Sequence, residues 1–189
     1  ASDEGIFSTQ HGSQSTTISL GGQVAKIPEF MFASLPLESI TIPATVTEIG
    51  NDAFANCIKL KSVIFEDGWQ TLTIGYNTVD VDEGPFIDSP LTDVTLNRPV
   101  NYTFPNPDTA SEGLFGGKAS LTDVTLGGYV KNLSDYMFAN TKITTIDASH
   151  VETIGKNVFS NSPLASITLG SSARTIGANA FNNTKLTSI

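Results

Sequence analysis

A leucine-spaced phrase returns along this chain in step with a phenylalanine, and that recurrence constrains the fold more than any other property. Leu37-x-x-Ile40-x-Ile42 is followed by Leu60-x-x-Val63-x-Phe65, Leu91-x-x-Val94-x-Leu96 and Leu121-x-x-Val124-x-Leu126. The series continues with Ile143-x-x-Ile146-x-Ala148 and Leu164-x-x-Ile167-x-Leu169, and reaches Leu186-x-x-Ile189. Phe32, Phe54, Phe86, Phe115, Phe138, Phe159 and Phe181 keep the same phase, with four of six spacings at 21 to 23 residues and two longer, at 32 and 29. A period of this length means a stacked architecture, because one unit cannot bury its apolar side without copies of itself above and below.

The unit Leu37–Leu60 shows what each copy does. Leu37, Ile40 and Ile42 alternate with Ser39 and Thr41, as in a strand with one buried face. Pro43 ends the pairing, since it has no N–H for a ladder. Val46 and Ile49 make a second apolar pair, closed by Gly50, which suits a tight turn with positive φ. Asn51–Asn56 reads as a polar turn carrying one aromatic, Phe54. The pattern therefore predicts a repeat solenoid with one short parallel strand per coil of about 22 residues. Its outer wall is expected to be irregular or short-helical. Asn56, Asn140, Asn161 and Asn183, each two residues past a Phe, have amides suited to unpaired turn backbone. Cys57 sits where other coils place Thr141, Ser162 and Thr184, which implies a small buried side chain.

Two stretches depart from the template. Residues 76–84 and 101–113 are insertions in adjacent coils, so stacking should bring them to one flank. Residues 18–189 form one solenoid of about seven coils, while residues 1–17 lack the pattern and read as either a cap or a flexible leader. Hydrophobic content of 39% with 15% charged residues is globular. No apolar run approaches the ~20 residues of a membrane helix, and residues 1–20 carry no signal-peptide pattern. A net charge of −9 with only ten Lys and Arg opposes nucleic-acid binding. One cysteine excludes an internal disulfide or a cysteine-built zinc site. His11 and His150 read as surface residues, not partners of a catalytic thiol. A strand begun at Leu186 leaves an apolar edge, which predicts edge-to-edge self-association or continuation in a longer protein.

The phrase L-x-S-I-x-I-P-x-x-V-x-x-I-G-x-x-A-F-x-N-C-x-x-L, as residues 37–60 spell it, resembles the BspA-type leucine-rich repeat. That family is abundant in surface and secreted proteins of anaerobic bacteria of the mouth and gut and of some mucosal parasites. The resemblance covers residues 18–189. It implies a right-handed leucine-rich-repeat solenoid, extracellular or anchored at the cell surface, that adheres to matrix proteins or to other microbes. It carries over no catalytic residue and no cofactor.

Two places are candidates for a partner. Outward strand positions form a face of hydroxyls and carboxylates, represented by Thr41, Ile64, Asp93, Thr95, Asp123, Thr125, Asp147 and Thr168; hydroxyl-bearing strands also serve β propensity alone. The insertions offer Trp69, Tyr76, Tyr102 and Phe104 beside Asp80, Asp82, Glu83, Asp108 and Glu112. Aromatics with carboxylates on long loops suit a peptide, a basic segment or a sugar; the same aromatics could instead plug the core. Asp80-Val81-Asp82-Glu83-Gly84 has oxygen ligands for calcium but lacks the EF-hand loop and its terminal acid. Asp82 and Glu112 could serve a glycosidase only at a defined separation. The reading that best fits repeat purity is a protein- or glycan-binding module, with a structural spacer or assembly unit as the alternative and a glycan-active enzyme behind both.

Overall fold

The structure, a computed structural model, describes residues 7–12, 15–75, 84–102 and 113–188, with side-chain surroundings from Ile18 onward. Each coil builds three walls. The first begins with β1 (Phe7–Gly12), antiparallel to β2 (Ser15–Leu20). Parallel strands follow at one per coil: β4 (Leu37–Ile42), β6 (Ser62–Phe65), β8 (Asp93–Leu96), β10 (Asp123–Leu126), β12 (Thr145–Ala148) and β14 (Ser166–Leu169). Register is set by the apolar positions, with Ile40 opposite Val63, Val63 opposite Val94, and Val94 opposite Val124. A slip of one residue would turn those side chains to solvent.

The second wall is made of shorter strands: β3 (Lys26–Ile27), β5 (Glu48–Ile49), β7 (Leu72–Ile74) and β9 (Val100–Tyr102) in one sheet. β11 (Asn132–Leu133), β13 (Thr153–Ile154) and β15 (Thr175–Ile176) form another. The third wall is the phenylalanine turn. Its rings stack from Phe32 to Phe181 with centroids 5.3 to 5.9 Å apart and planes within 25°. That spacing is typical of offset aromatic pairs. The stack passes both insertion sites unbroken, so it is the continuous spine of the solenoid.

The expected burial holds through most coils. Leu37, Ile40, Ile42, Leu60, Val63 and Phe65 are all buried. Cys57 is buried too, and its Sγ donates to Phe32 O at 3.1 Å. Ser89, in the same position one coil on, donates to Phe54 O at 2.8 Å. Thr141, Ser162 and Thr184 instead cap their own turn, reaching Phe138 O, Phe159 O and Phe181 O at 2.7 to 2.9 Å.

Four expectations are narrowed or corrected. The outer wall, expected to be irregular or short-helical, is irregular, since no helix occurs among the described residues. The cause lies in φ: the residue two places after every Phe of the stack is left-handed, from Ser34 at 61° to Asn183 at 55°. Such a residue breaks a right-handed helix at each turn. The Asn residues follow from the same fact. Asn56, Asn140, Asn161 and Asn183 have φ of 56°, 57°, 59° and 55°, a region Asn tolerates better than most residues. Three of their amides pair with one another: Asn161 Nδ2 donates to Asn140 Oδ1 at 3.0 Å, and Asn183 Nδ2 to Asn161 Oδ1 at 2.9 Å.

Gly50 is the third correction. Its φ is not positive, and it is glycine because a Cβ there would sit 2.5 Å from Glu29 N in the preceding coil. The coils touch backbone to backbone at this point. Last, Leu186–Ser188 form no strand; Lys185 N donates to Leu164 O at 2.8 Å, and the ladder goes no further among the described residues.

Candidate functional site: a breach in the strand wall

Outward positions of the long strands present the expected hydroxyls and carboxylates, with Ile64 39% exposed as the large apolar member. Asp93 and Asp123 lie side by side in register. Each carboxylate is held by the preceding threonine, Thr92 Oγ1 to Asp93 Oδ2 at 2.7 Å and Thr122 Oγ1 to Asp123 Oδ2 at 2.6 Å. Like charges directly opposite are unfavourable in a sheet, so this pair favours a cationic neighbour. Thr41 is exposed and Thr95 half-buried on the same wall.

The wall then breaks. β10 pairs with β8, and β12 with β14, but β10 and β12 form no ladder. The turn that follows β12 is also one residue shorter than its counterparts. Ile42 to Val46, Leu126 to Val130 and Leu169 to Ala173 each span four residues, whereas Ala148 to Val151 spans three. The turn bond correspondingly starts at Ala148 O for Val151 N, while Val130 N reaches Gly127 O. The end of β12 is drawn into its turn one residue early. Glu66, Asn97 and Gly127, at the residue after the strand, donate their N–H to the previous coil at 3.0, 3.3 and 2.8 Å. Ser149 holds that position after β12 and donates instead to Asp147 Oδ1 at 2.9 Å.

The breach is a cleft of about 420 Å³, within the size range of ligand sites. Asp123, Thr125, Thr145, Asp147 and Thr168 line it, with Val124 and Ile146 in its floor and Lys142 at one end. Val124 and Leu126 are only half-buried, while Val94 and Leu96 one coil earlier are 2% and 0% exposed. Asp147 is held below the usual carboxylate range by the Ser149 N–H first, then by the Ser149 hydroxyl and the nearby His150. It is therefore an anion across the physiological range.

The insertion residues do not converge as expected where the structure describes them. Trp69 is 74% exposed, but Tyr102 is 7% exposed and packs in the core. Its hydroxyl lies 3.5 Å from where a Gly84 Cβ would be, so the end of the first insertion lies near the start of the second. Tyr102 acts as a plug. Tyr76, Asp80, Asp82, Glu83, Phe104, Asp108 and Glu112 lie outside the described residues, and with them the calcium and paired-carboxylate readings. Among the described residues no group of three His, Cys, Asp or Glu could hold a metal ion. Burial pushes the Cys57 thiol up, away from a reactive thiolate.

Two cations, Arg98 buried and Lys118 half-buried, were not anticipated from the sequence. Among the described residues Arg98 is the largest fully buried side chain, and it ties three coils by donating to Pro43 O, Ala44 O and Gln70 O at 3.1 to 3.3 Å. Lys118 Nζ donates to Phe86 O at 2.6 Å. Burial lowers its pKa to about 8, with Asp88 partly opposing the shift.

A family model described as the BspA type leucine rich repeat region matches residues 25–106 and 86–189, in six copies. No curated protein matches the chain. Among solved structures, the chain is similar to a leucine-rich repeat protein from Bacteroides ovatus, at 16% identity and a TM-score of 0.54, covering all of this chain and 58% of that one. A leucine rich cell surface protein from Faecalibacterium prausnitzii is 23% identical with a TM-score of 0.36, over 99% of this chain and 55% of that one. The chain thus spans little more than half the length of these structures.

Proposed function

This chain belongs to the BspA-type leucine-rich repeat family, and on that premise we propose that it is an adhesion-type interaction module of an extracellular or cell-surface protein. Its partner is a matrix protein, another microbial surface protein or a glycan, and no catalysis is involved. The matching model describes a repeat region, not a catalytic domain, and no helix among the described residues is long and apolar enough to cross a membrane. One observation carries the choice of surface: Asp123, Thr125, Asp147 and Thr168, half of the strand-face candidates, line a single cleft. Among the described residues its lining contains no aromatic ring on which a sugar could stack, which favours a protein partner over a glycan.

The test is a binding screen against immobilised matrix proteins, bacterial surface proteins and glycans. Wild type is compared with Thr125→Lys/Thr168→Lys, which reverses the charge of the cleft, and with Trp69→Ala. Binding reduced tenfold or more by the lysines alone supports the strand face. Loss confined to Trp69→Ala moves the site to the insertion flank, where that exposed indole favours a second reading. A panel without any binder favours the spacer reading.

A further inference from the structure

We infer that Lys118 is a covalent modification site, whose amine, held in a trough between the Phe86 and Phe115 turns, condenses with a small aldehyde to form an imine. The site lies on the third wall, away from the strand face. In five other coils the third residue after the stacked Phe is small: Cys57, Ser89, Thr141, Ser162 and Thr184. Cys57 Sγ and Ser89 Oγ donate back to the preceding coil, to Phe32 O and Phe54 O at 3.1 and 2.8 Å. Lys118 stands in that position, and its Nζ makes the corresponding bond to Phe86 O at 2.6 Å. A hydroxyl reaches the carbonyl from a single carbon. Lysine has a four-carbon stem to lay along the turn, which draws its nitrogen partly out of water.

The trough is open because Gly117 precedes the lysine. One coil either way, the same left-handed turn position is held by Asp88 and Asn140, at φ of 52° and 57°. Gly117 takes φ of 72° with no side chain to cover the amine. The hollow that results, about 450 Å³, lies between Asp88–Pro90 and Gly117–Ser120, with Lys118 in its lining. Asp88, Gly117 and Ala119 are exposed and Lys118 is half-buried, so the mouth is wet while the amine is partly desolvated. Among the described residues Lys118 forms no ion pair. The Phe86 carbonyl is its hydrogen-bond partner.

Desolvated lysines are the ones that form Schiff bases with carbonyl compounds. Burial lowers the Lys118 pKa to about 8 against the opposing charge of Asp88. Near neutral pH about a tenth of it is free amine, against fewer than about one in a thousand for a lysine in water. A less basic nitrogen is also a weaker nucleophile, which leaves a net advantage on the order of tenfold. The neutral Nζ adds to the aldehyde carbon, and one of its protons passes to the carbonyl oxygen, giving a carbinolamine. The hydroxyl then takes up a proton and leaves as water. A C=N bond forms as an iminium that can return the proton, so one amine and one aldehyde give one imine and one water. The iminium keeps an N–H for Phe86 O and a positive charge for Asp88 to stabilise. Condensation therefore preserves the contacts that hold the lysine in place.

Acetaldehyde is the probe, given to the full chain in limiting amount near neutral pH, with cyanoborohydride present to reduce each imine and fix it as a secondary amine. Digestion at acidic residues and mass spectrometry then compare labelling at Lys118 with that at the exposed Lys59, Lys61 and Lys142. Lys118 is expected to label on the order of tenfold faster, as a desolvated amine should. Guanidinium chloride, which unfolds the trough, should erase the difference. Gly117→Asn returns the side chain that neighbouring coils carry, in a residue that tolerates the same φ. It should slow Lys118 at least about threefold, by covering a nucleophile that needs access, and leave the exposed lysines unchanged. Labelling of Lys118 no faster than of those lysines overturns the inference, and so does a lead that survives unfolding. An unchanged rate in a folded Gly117→Asn protein overturns it too, since the hollow would then play no part. Should that variant fail to fold, the wild-type comparison with and without denaturant decides alone.

Discussion

Replacing Arg98 tests whether one buried cation holds the middle coils together. Its guanidinium is fully buried and makes four donations to three carbonyls in two turns: Nη1 to Pro43 and Ala44, and Nε and Nη2 to Gln70. Hydrogen bonds to charged groups contribute about 1.5–3 kcal/mol each. Burying the ion without a carboxylate opposes that gain by several kcal/mol. Burial draws the Arg98 pKa down, yet a guanidinium remains protonated in proteins. Arg98→Ala removes the donors and leaves three carbonyls and a void, for an expected loss of ~3–5 kcal/mol, the range of a broken buried polar network. At about 2–4 °C per kcal/mol for a chain of this size, melting should fall by roughly 10 °C. Arg98→Met separates bonding from volume. It fills most of the space but donates nothing, so it should lose nearly as much as alanine, while Arg98→Lys, with one ammonium for three carbonyls, should fall between. Urea titration followed by circular dichroism reads the midpoints, and an unchanged slope would confirm that the unfolded state is unaffected. A methionine variant within ~1 kcal/mol of wild type would refute the reasoning, because packing alone would then explain the buried arginine.

Left-handed φ at Asn161 predicts that Asn161→Ala costs ~1–2 kcal/mol, whereas Asn161→Gly, which keeps the φ but loses the amide ladder, costs clearly less; paired thermal melts decide, and equal losses would assign the position to the ladder instead. Gly170→Ala should destabilise by more than ~2 kcal/mol, the scale of an overpacked contact, because its Cβ would lie 1.9 Å from Ser149 O. Gly128→Ala meets nothing within 4 Å and should be neutral or stabilising by up to ~1 kcal/mol; denaturant midpoints of the two variants must differ in that order. Lys118 is lowered to about 8 when folded against ~10.4 unfolded. The folded state sheds this proton first, so stability should rise with pH across that window. A Lys118→Met variant should lack the rise in pH-dependent unfolding, and an identical profile in both proteins would contradict the assignment.

The period, the inward face of each strand and the phenylalanine spine were legible because each depends on residue type at a fixed spacing. Leu37, Ile40 and Phe54 announce their burial by being large and in phase. Arg98 does not. It occupies a turn position where Ala44 and Gly128 stand in other coils, and an arginine in a turn ordinarily points to water. Its burial depends on carbonyls from residues up to 55 positions away, which no local pattern encodes. The short turn beside the breach was legible in principle, since Ala148 to Val151 is one residue short. Insertions of seven to ten residues stand out against a 22-residue ruler, but a single deletion is hidden among spacings that already vary from 21 to 23. Gly50 was placed correctly and explained wrongly, and the asparagines were placed correctly with their left-handed φ missed. Composition marks positions that need special backbone; only φ and the neighbouring coil show whether the need is a left-handed turn or close approach.

The breach also explains how a stacked repeat keeps its coupling while leaving an edge open. In solenoids each unit is stabilised by contact with its neighbours, so an interface stripped of its ladders would divide the molecule. The second wall changes sheets between β9 and β11, and the first between β10 and β12. These interruptions fall on successive interfaces, not on the same one. The coil carrying β10 and β11 is held to the preceding coil by the first wall and to the following coil by the second. Phe115 and Phe138 stack across its turn. No interface between described coils loses both ladders at once, and the phenylalanine spine crosses each of them. Strand edges can therefore be exposed on one face because adhesion between coils is carried on the other two.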